Sequence, residues 1–128
     1  MRILTLFASA FFVLSLFIAC SSPAEGVSVL NCKDFDKKLK ITDNPQLIDV
    51  RTPAEFDGGT VYEAKNIDFY SDNFKAEIAK LDKNLPVFVF CARGGRSASA
   101  ASVCKELGFN EIYDMEGGYN AWSTYQDK

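Results

Sequence analysis

There is no histidine in this 128-residue chain. That single absence removes cysteine-histidine hydrolases, Ser-His-Asp triads and zinc sites built on imidazole. The four cysteines, Cys20, Cys32, Cys91 and Cys104, never fall in a Cys-x-x-Cys spacing, which leaves out the paired-cysteine redox and metal motifs. Nothing that remains calls for a metal or a cofactor. Basic residues are not in excess either: 14 Lys and Arg against 17 Asp and Glu give a net charge of −3, with the lysines dispersed. Such a balance suits solubility and argues against nucleic acid as a partner. Internal repeats and low-complexity segments are also missing, and the length allows one domain.

What is present begins with Arg2 and an uncharged run over residues 3–19, rich in Leu, Phe and Ala. A charged start and an apolar core are the marks of an export signal, and the run is short for a transmembrane helix. It ends Phe17-Ile18-Ala19-Cys20, followed by Ser21-Ser22-Pro23. This boundary resembles the lipobox of bacterial lipoproteins, in which a small residue precedes a cysteine that is lipidated and becomes the new N-terminus. The resemblance implies a signal peptide over 1–19, lipidation of Cys20, a small polar tether over 20–26, and a domain over 27–128. It also implies an exported, membrane-anchored protein facing the periplasm or the cell exterior. A plain signal peptide or an uncleaved anchor are the alternatives.

The domain alternates between strand and helix patterns. Strands are expected at 27–30, 47–50, 64–67, 87–90 and 112–114. Asn31 is placed to cap a helix carrying Phe35 and Leu39, and Thr52-Pro53-Ala54-Glu55 reads as a capping box with proline at the first helical position. Phe74, Ile78 and Leu81 predict a helix from about Ser71, and the Ser/Ala-rich stretch predicts another over 96–107, ended by Gly108 with Phe109 beyond it. A terminal helix carries Tyr119, Trp122 and Tyr125, read as packing aromatics. Strands separated by helices define an α/β fold with a parallel sheet and helices on both faces. In such sheets ligands sit at the carboxyl ends of strands.

Cys91 falls at one of those ends. Val87-Phe88-Val89-Phe90 is apolar throughout, as in a strand covered on both sides, and it runs into Cys91-Ala92-Arg93-Gly94-Gly95-Arg96-Ser97. Two adjacent glycines predict a tight turn with amides pointing inward, and a helix beginning near Arg96 aims its positive end at the sulfur. With two arginine charges added, the thiolate is favoured without a base. If Cys20 carries lipid, three cysteines remain, and an odd thiol in an exported chain points to reactivity. An inert buried cysteine is the plain alternative. Cys104, on the inner face of the following helix, reads as packing. Cys32 stands at a helix start, where mild activation by the dipole is conceivable and a functional role is not expected.

Three segments carry a resemblance to a single rhodanese domain: residues 47–56, Leu-Ile-Asp-Val-Arg-Thr-Pro-Ala-Glu-Phe; Cys91 to Ser97 with the Ala-rich helix after it; and residues 116–122, Glu-Gly-Gly-Tyr-Asn-Ala-Trp. The resemblance implies a rhodanese-like, five-stranded, mainly parallel sheet and a sulfurtransferase. It makes Cys91 the catalytic cysteine, which takes a sulfane sulfur from a small anionic donor such as thiosulfate and passes it to a thiol or cyanide acceptor. Ala92, Arg93, Gly94, Gly95, Arg96 and Ser97 become the loop that holds the substrate. Asp49 and Arg51 become supporting residues near the base of the site, unless they simply make an ion pair that orients the next turn. A monomer is expected. The chain departs from the common family pattern at Gly59-Thr60-Val61-Tyr62-Glu63-Ala64, where Gly-His-Ile-Pro-Gly-Ala is frequent, which leaves the shape of that loop open. Two alternatives stay beside turnover: a persulfide carrier for a partner protein, and a cysteine-dependent phosphatase. The latter needs five residues between cysteine and arginine, and here there are four.

Overall fold

The computed structural model describes residues 26–126 and Lys128. The expected signal peptide, Cys20 and nearly all of the tether lie outside the described residues. Ten elements follow one another: β1 (Val27–Leu30), α1 (Cys32–Ile41), β2 (Gln46–Asp49), α2 (Pro53–Asp57), β3 (Lys65–Asn66), α3 (Phe74–Ala79), β4 (Val87–Phe90), α4 (Gly95–Glu106), β5 (Ile112–Met115) and α5 (Gly118–Gln126). The strands form one sheet in the order β1-β5-β4-β2-β3, and every ladder is parallel, where the sequence led only to a mainly parallel one.

The four residues of β4 explain the layers. All four are fully buried, because the strand lies between β5 and β2 and is covered on both faces. Val87 and Val89 face a core that contains Ile78 of α3 and Ala100, Ala101 and Cys104 of α4. Phe88 and Phe90 point the other way, into a core with Phe35 and Leu39 of α1 and Trp122 of α5. Phe35 meets Phe88 edge to face at 5.3 Å, a favoured arrangement of ring quadrupoles. Among the described residues, no helix is long and apolar enough to cross a membrane.

The capping chemistry holds. Asn31 accepts from the Asp34 amide at 2.9 Å, and Thr52 and Glu55 satisfy each other's backbone amides. At Gly108 (φ +91) the chain turns left-handed, and the Phe109 amide reaches back to Cys104 O at 3.1 Å. Several boundaries differ from expectation: β2 is Gln46–Asp49 rather than 47–50, β3 is Lys65–Asn66 rather than 64–67, β5 runs on to Met115, α4 ends at Glu106, and two helices start elsewhere. The helix expected from Ser71 begins at Phe74, because Asp68 and Ser71 side chains bond the amides of Tyr70 and Asn73 and hold the chain in local turns. The helix expected from Arg96 begins one residue earlier, at Gly95.

Candidate active site

Cys91 directly follows the last residue of β4 and lies at the carboxyl end of the sheet's central strand. It is 1 % exposed and lines a cleft of about 720 Å³ together with Glu55, Phe69, Tyr70, Arg93, Arg96 and Asn120. Gly94 caps α4 with φ +115, a left-handed geometry that glycine adopts without strain, and this turns its N–H onto Cys91 Sγ at 3.0 Å. The Ser97 hydroxyl, fully buried one turn into α4, lies 3.5 Å from the same sulfur and donates to Gly94 O at 3.2 Å. Burial pushes the Cys91 thiol up, but the Ser97 hydroxyl and the amides of Ser97, Gly94 and Arg93 outweigh it, so the thiol titrates below its ordinary value.

That balance corrects one expectation. The Ser97 hydroxyl and the amides lower the thiol most, and the attraction between the Arg96 guanidinium and the Cys91 thiolate is a smaller addition than expected. Arg96 instead turns to α2, where its guanidinium donates to both oxygens of Glu55 at 2.8 and 2.9 Å. The hydrogen bonds from Arg96 hold the Glu55 carboxyl down at about 2, and those to Glu55 push the Arg96 guanidinium further up. A bidentate pair of this kind largely cancels both charges at the cleft mouth. Arg93 is exposed, lines the cleft and has no ion-pair partner among the described residues.

The loop is held in place from behind. The first amides of α5 donate to its carbonyls, Tyr119 N to Cys91 O at 2.7 Å and Asn120 N to Ala92 O at 3.1 Å. A Cβ on Gly118 would strike Cys91 O and Ala92 C, so only glycine lets α5 approach this closely. Asp49 and Arg51 lie behind this contact rather than in the cleft. Asp49 is fully buried and accepts from Arg51 Nη2 at 2.7 Å, from Arg51 Nε and from Thr60 Oγ1 at 2.8 Å. The Arg51 guanidinium continues to Gly59 O and sits 4.1 Å over the Tyr119 ring, joining the pair to the helix that grips the loop. The divergent 59–64 segment therefore docks through Thr60 and the Gly59 carbonyl. Asn66 of β3 closes the same corner by donating to Asp49 O and Arg51 O.

The other thiols are unlike Cys91. Burial pushes Cys104 up to about 12, as expected of a packing residue. Burial also raises Cys32, against its own helix amide, so the mild dipole activation considered for it is absent. Glu55, Asn120 and the Gly117-Gly118 approach were not singled out by the sequence as parts of the site. The glycine doublet at 117–118 was the available signal for the last of them.

The arrangement defines a class: a parallel α/β domain presenting a depressed-pKa cysteine in a short amide-lined loop at the carboxyl edge of its sheet. Residues 32–125 match the rhodanese-like domain family, and the chain belongs to it. It is 39% identical over 77 residues to YqhL of Bacillus subtilis, a protein uncharacterized by its name, a match spanning 60% of each chain. It is 34% identical over 79 residues to the thiosulfate sulfurtransferase GlpE of Pseudomonas aeruginosa, covering 62% of this chain and 70% of that one. Among solved structures, a rhodanese-related protein from Thermoplasma volcanium superposes with a TM-score of 0.67 at 30% identity, covering 77% of this chain and 92% of its own.

Proposed function

We propose that this chain is a sulfurtransferase that works through a persulfide on Cys91. The reading rests chiefly on one observation: a sulfur whose titration is lowered by amides and a hydroxyl, at the floor of a cleft that carries an unpaired arginine. The name of the Pseudomonas aeruginosa relative supports thiosulfate as a donor. The Cys91 thiolate attacks the outer sulfur of thiosulfate, forming a new S–S bond as the old one breaks and sulfite leaves with its electron pair. A nucleophilic acceptor such as cyanide or a thiolate then takes the terminal sulfur and restores the Cys91 thiolate. Charge balances in both steps and no external oxidant is needed. Between the steps the persulfide anion occupies the position of the thiolate's electron density, where the Gly94 amide already points and the Ser97 hydroxyl lies 3.5 Å away. A loop of this size accommodates one added sulfur atom, whereas a phosphate ester calls for a wider ring of amides.

The two arginines have different expected effects. Arg93→Ala removes the free cation and is expected to raise KM for thiosulfate about tenfold, the low end for a charge-assisted hydrogen bond because Arg93 is exposed. Arg96→Ala strips Glu55 of its partner and leaves an uncompensated carboxylate facing the anionic donor. Its loss of thiosulfate use is therefore expected to be partly restored by adding Glu55→Gln, while Arg93→Ala gains nothing from that change. Steady-state kinetics of thiosulfate-dependent thiocyanate formation check both; equal response of the two variants to Glu55→Gln overturns this division. If Cys91 charges stoichiometrically but discharges only to a protein thiol, the chain is a persulfide carrier rather than a turnover enzyme.

For placement in the cell, the Phe17-Ile18-Ala19-Cys20 boundary supports a lipidated Cys20 on an exported, membrane-attached protein. One acyl chain gives only marginal attachment, with K on the order of 10⁴ M⁻¹, so a multiply acylated cysteine is required. Fatty-acid labelling should mark the wild type and miss Cys20→Ala; a mature N-terminus beyond residue 20 contradicts it.

A further inference from the structure

Asp114 of β5 is 4 % exposed, and its Oδ1 is buried without a hydrogen-bond partner. An unsatisfied buried carboxyl oxygen is costly, and no element of the proposed reaction uses it so far. Its place in the sheet is informative. Asp114 pairs in register with Val89 of β4 and Val29 of β1, and the alternation of β5 sends Tyr113 and Met115 to the other layer, so Asp114 faces α4. Ser97 on α4 is the polar group near enough to pull its carboxyl down, though no hydrogen bond joins the two among the described residues, and the same hydroxyl lies 3.5 Å from Cys91 Sγ.

A hydroxyl has one hydrogen to give. Around Ser97 three acceptors compete for it: Gly94 O at 3.2 Å, the anionic sulfur, and the Asp114 carboxylate when ionised. We propose that Asp114 is a positioning residue for the Cys91 sulfur: in its protonated form it donates to Ser97 Oγ, which leaves the Ser97 hydrogen directed at the thiolate or persulfide anion. When the carboxyl ionises, it draws that hydrogen away and sets a negative charge behind the sulfur. Burial pushes the Asp114 carboxyl up to about 6, against the Ser97 hydroxyl, which pulls it down. The titratable groups on this face are the thiols of Cys91 and of Cys104 on α4; β1 contributes Val27 and Val29, β4 contributes Val87 and Val89, and α4 adds Ser97, Ala100 and Ala101. Burial and Ser97 are the two influences on Asp114, with no charged side chain among them. Arg93, Arg96 and Glu55 line the cleft.

The assignment rests on Cys91 being the nucleophile and is tested apart from it. Single-turnover persulfide formation is followed from pH 5 to 8 with thiosulfate for the wild type, Asp114→Asn, Asp114→Val, each Asp114 variant combined with Ser97→Ala, and Cys91→Ser. Asparagine keeps a donor toward Ser97 at every pH. The maximal rate of the wild type should therefore fall as pH rises through about 6 relative to Asp114→Asn. The maximal rate of Asp114→Val should be about tenfold below that of Asp114→Asn, with half-saturating thiosulfate unchanged, and Ser97→Ala should erase the difference. Persistence of the pH-dependent fall in Asp114→Asn, or an equal gap between asparagine and valine with and without Ser97, overturns the assignment. Asparagine is nearly isosteric, so its pH profile decides the matter even where the valine variant folds poorly. A dead Cys91→Ser alongside Asp114 variants that behave as wild type removes only the role of Asp114; an active Cys91→Ser removes the nucleophile itself.

Discussion

Cys91→Ser is expected to lose thiosulfate-dependent thiocyanate formation by on the order of a thousandfold or more, while the domain keeps its fold. The physical reason lies in what the loop has to work with. The chain has no histidine, and among the described residues no general base contacts Cys91; its neighbours are the Gly94 amide at 3.0 Å, the Ser97 hydroxyl at 3.5 Å and further amides of α4. These groups stabilise the sulfur anion and hold the thiol below its ordinary value. They are far too weak to ionise a serine hydroxyl, whose proton has nowhere to go. Volume and hydrogen-bonding character change little, so thermal unfolding should be close to that of the wild type. Cys32→Ser and Cys104→Ser should retain transfer, because burial raises both thiols away from reactivity. Substantial activity in Cys91→Ser with loss in either of the others would place the chemistry elsewhere.

The second large effect falls on stability. Arg51→Met removes the guanidinium that holds the fully buried Asp49 carboxylate and leaves that charge with Thr60 Oγ1 and the Arg51 amide for company. Breaking a buried pair from one side costs about 3–5 kcal/mol. For a domain of this size that corresponds to a fall in Tm of roughly 12–40 °C, at about 4–8 °C per kcal/mol. Adding Asp49→Asn should return a good part of the loss, because the orphaned charge goes with it. The same substitution removes the cation 4.1 Å over Tyr119, whose amide holds Cys91 O, so any folded Arg51→Met should also transfer sulfur more slowly. Arg51→Lys should rescue little, since a single ammonium cannot bridge Asp49, Gly59 O and the Tyr119 ring together. Thermal unfolding of the single and double variants checks the pair; a drop under about 1 kcal/mol for Arg51→Met would show that Asp49 is not held as described.

How far the sequence speaks follows from the range of each interaction. The Val87–Phe90 strand was legible because four consecutive apolar residues have to be buried on both sides, and Cys91 was legible because it ends that strand before a glycine turn. The caps at Asn31 and Thr52 were legible because their partners lie three residues away. The Glu55–Arg96 pair was not, since 41 residues separate its members and either side chain reads alone as a solvated charge. For the same reason the two arginines looked equivalent in the sequence, whereas in the structure Arg96 pairs with Glu55 and Arg93 has no ion-pair partner among the described residues. Thr60, eleven residues from Asp49, meets it only because β2 and the turn before β3 close on each other. Asp114 in a four-residue polar and apolar mixture gives no sign of the buried face it occupies, because β5 is short and its burial depends on α4 arriving from earlier in the chain. Long-range polar contacts thus account for most of what the sequence did not reveal in the site, whereas its backbone frame was set locally.

The most direct measurement is the mass of the domain after brief incubation with thiosulfate and removal of excess donor, followed by peptide mapping without reductant. The account predicts the addition of one sulfur atom, located on the peptide that contains Cys91, and its disappearance on treatment with cyanide. No added sulfur, or a stable sulfur found on Cys32 or Cys104 with Cys91 unmodified, would contradict it.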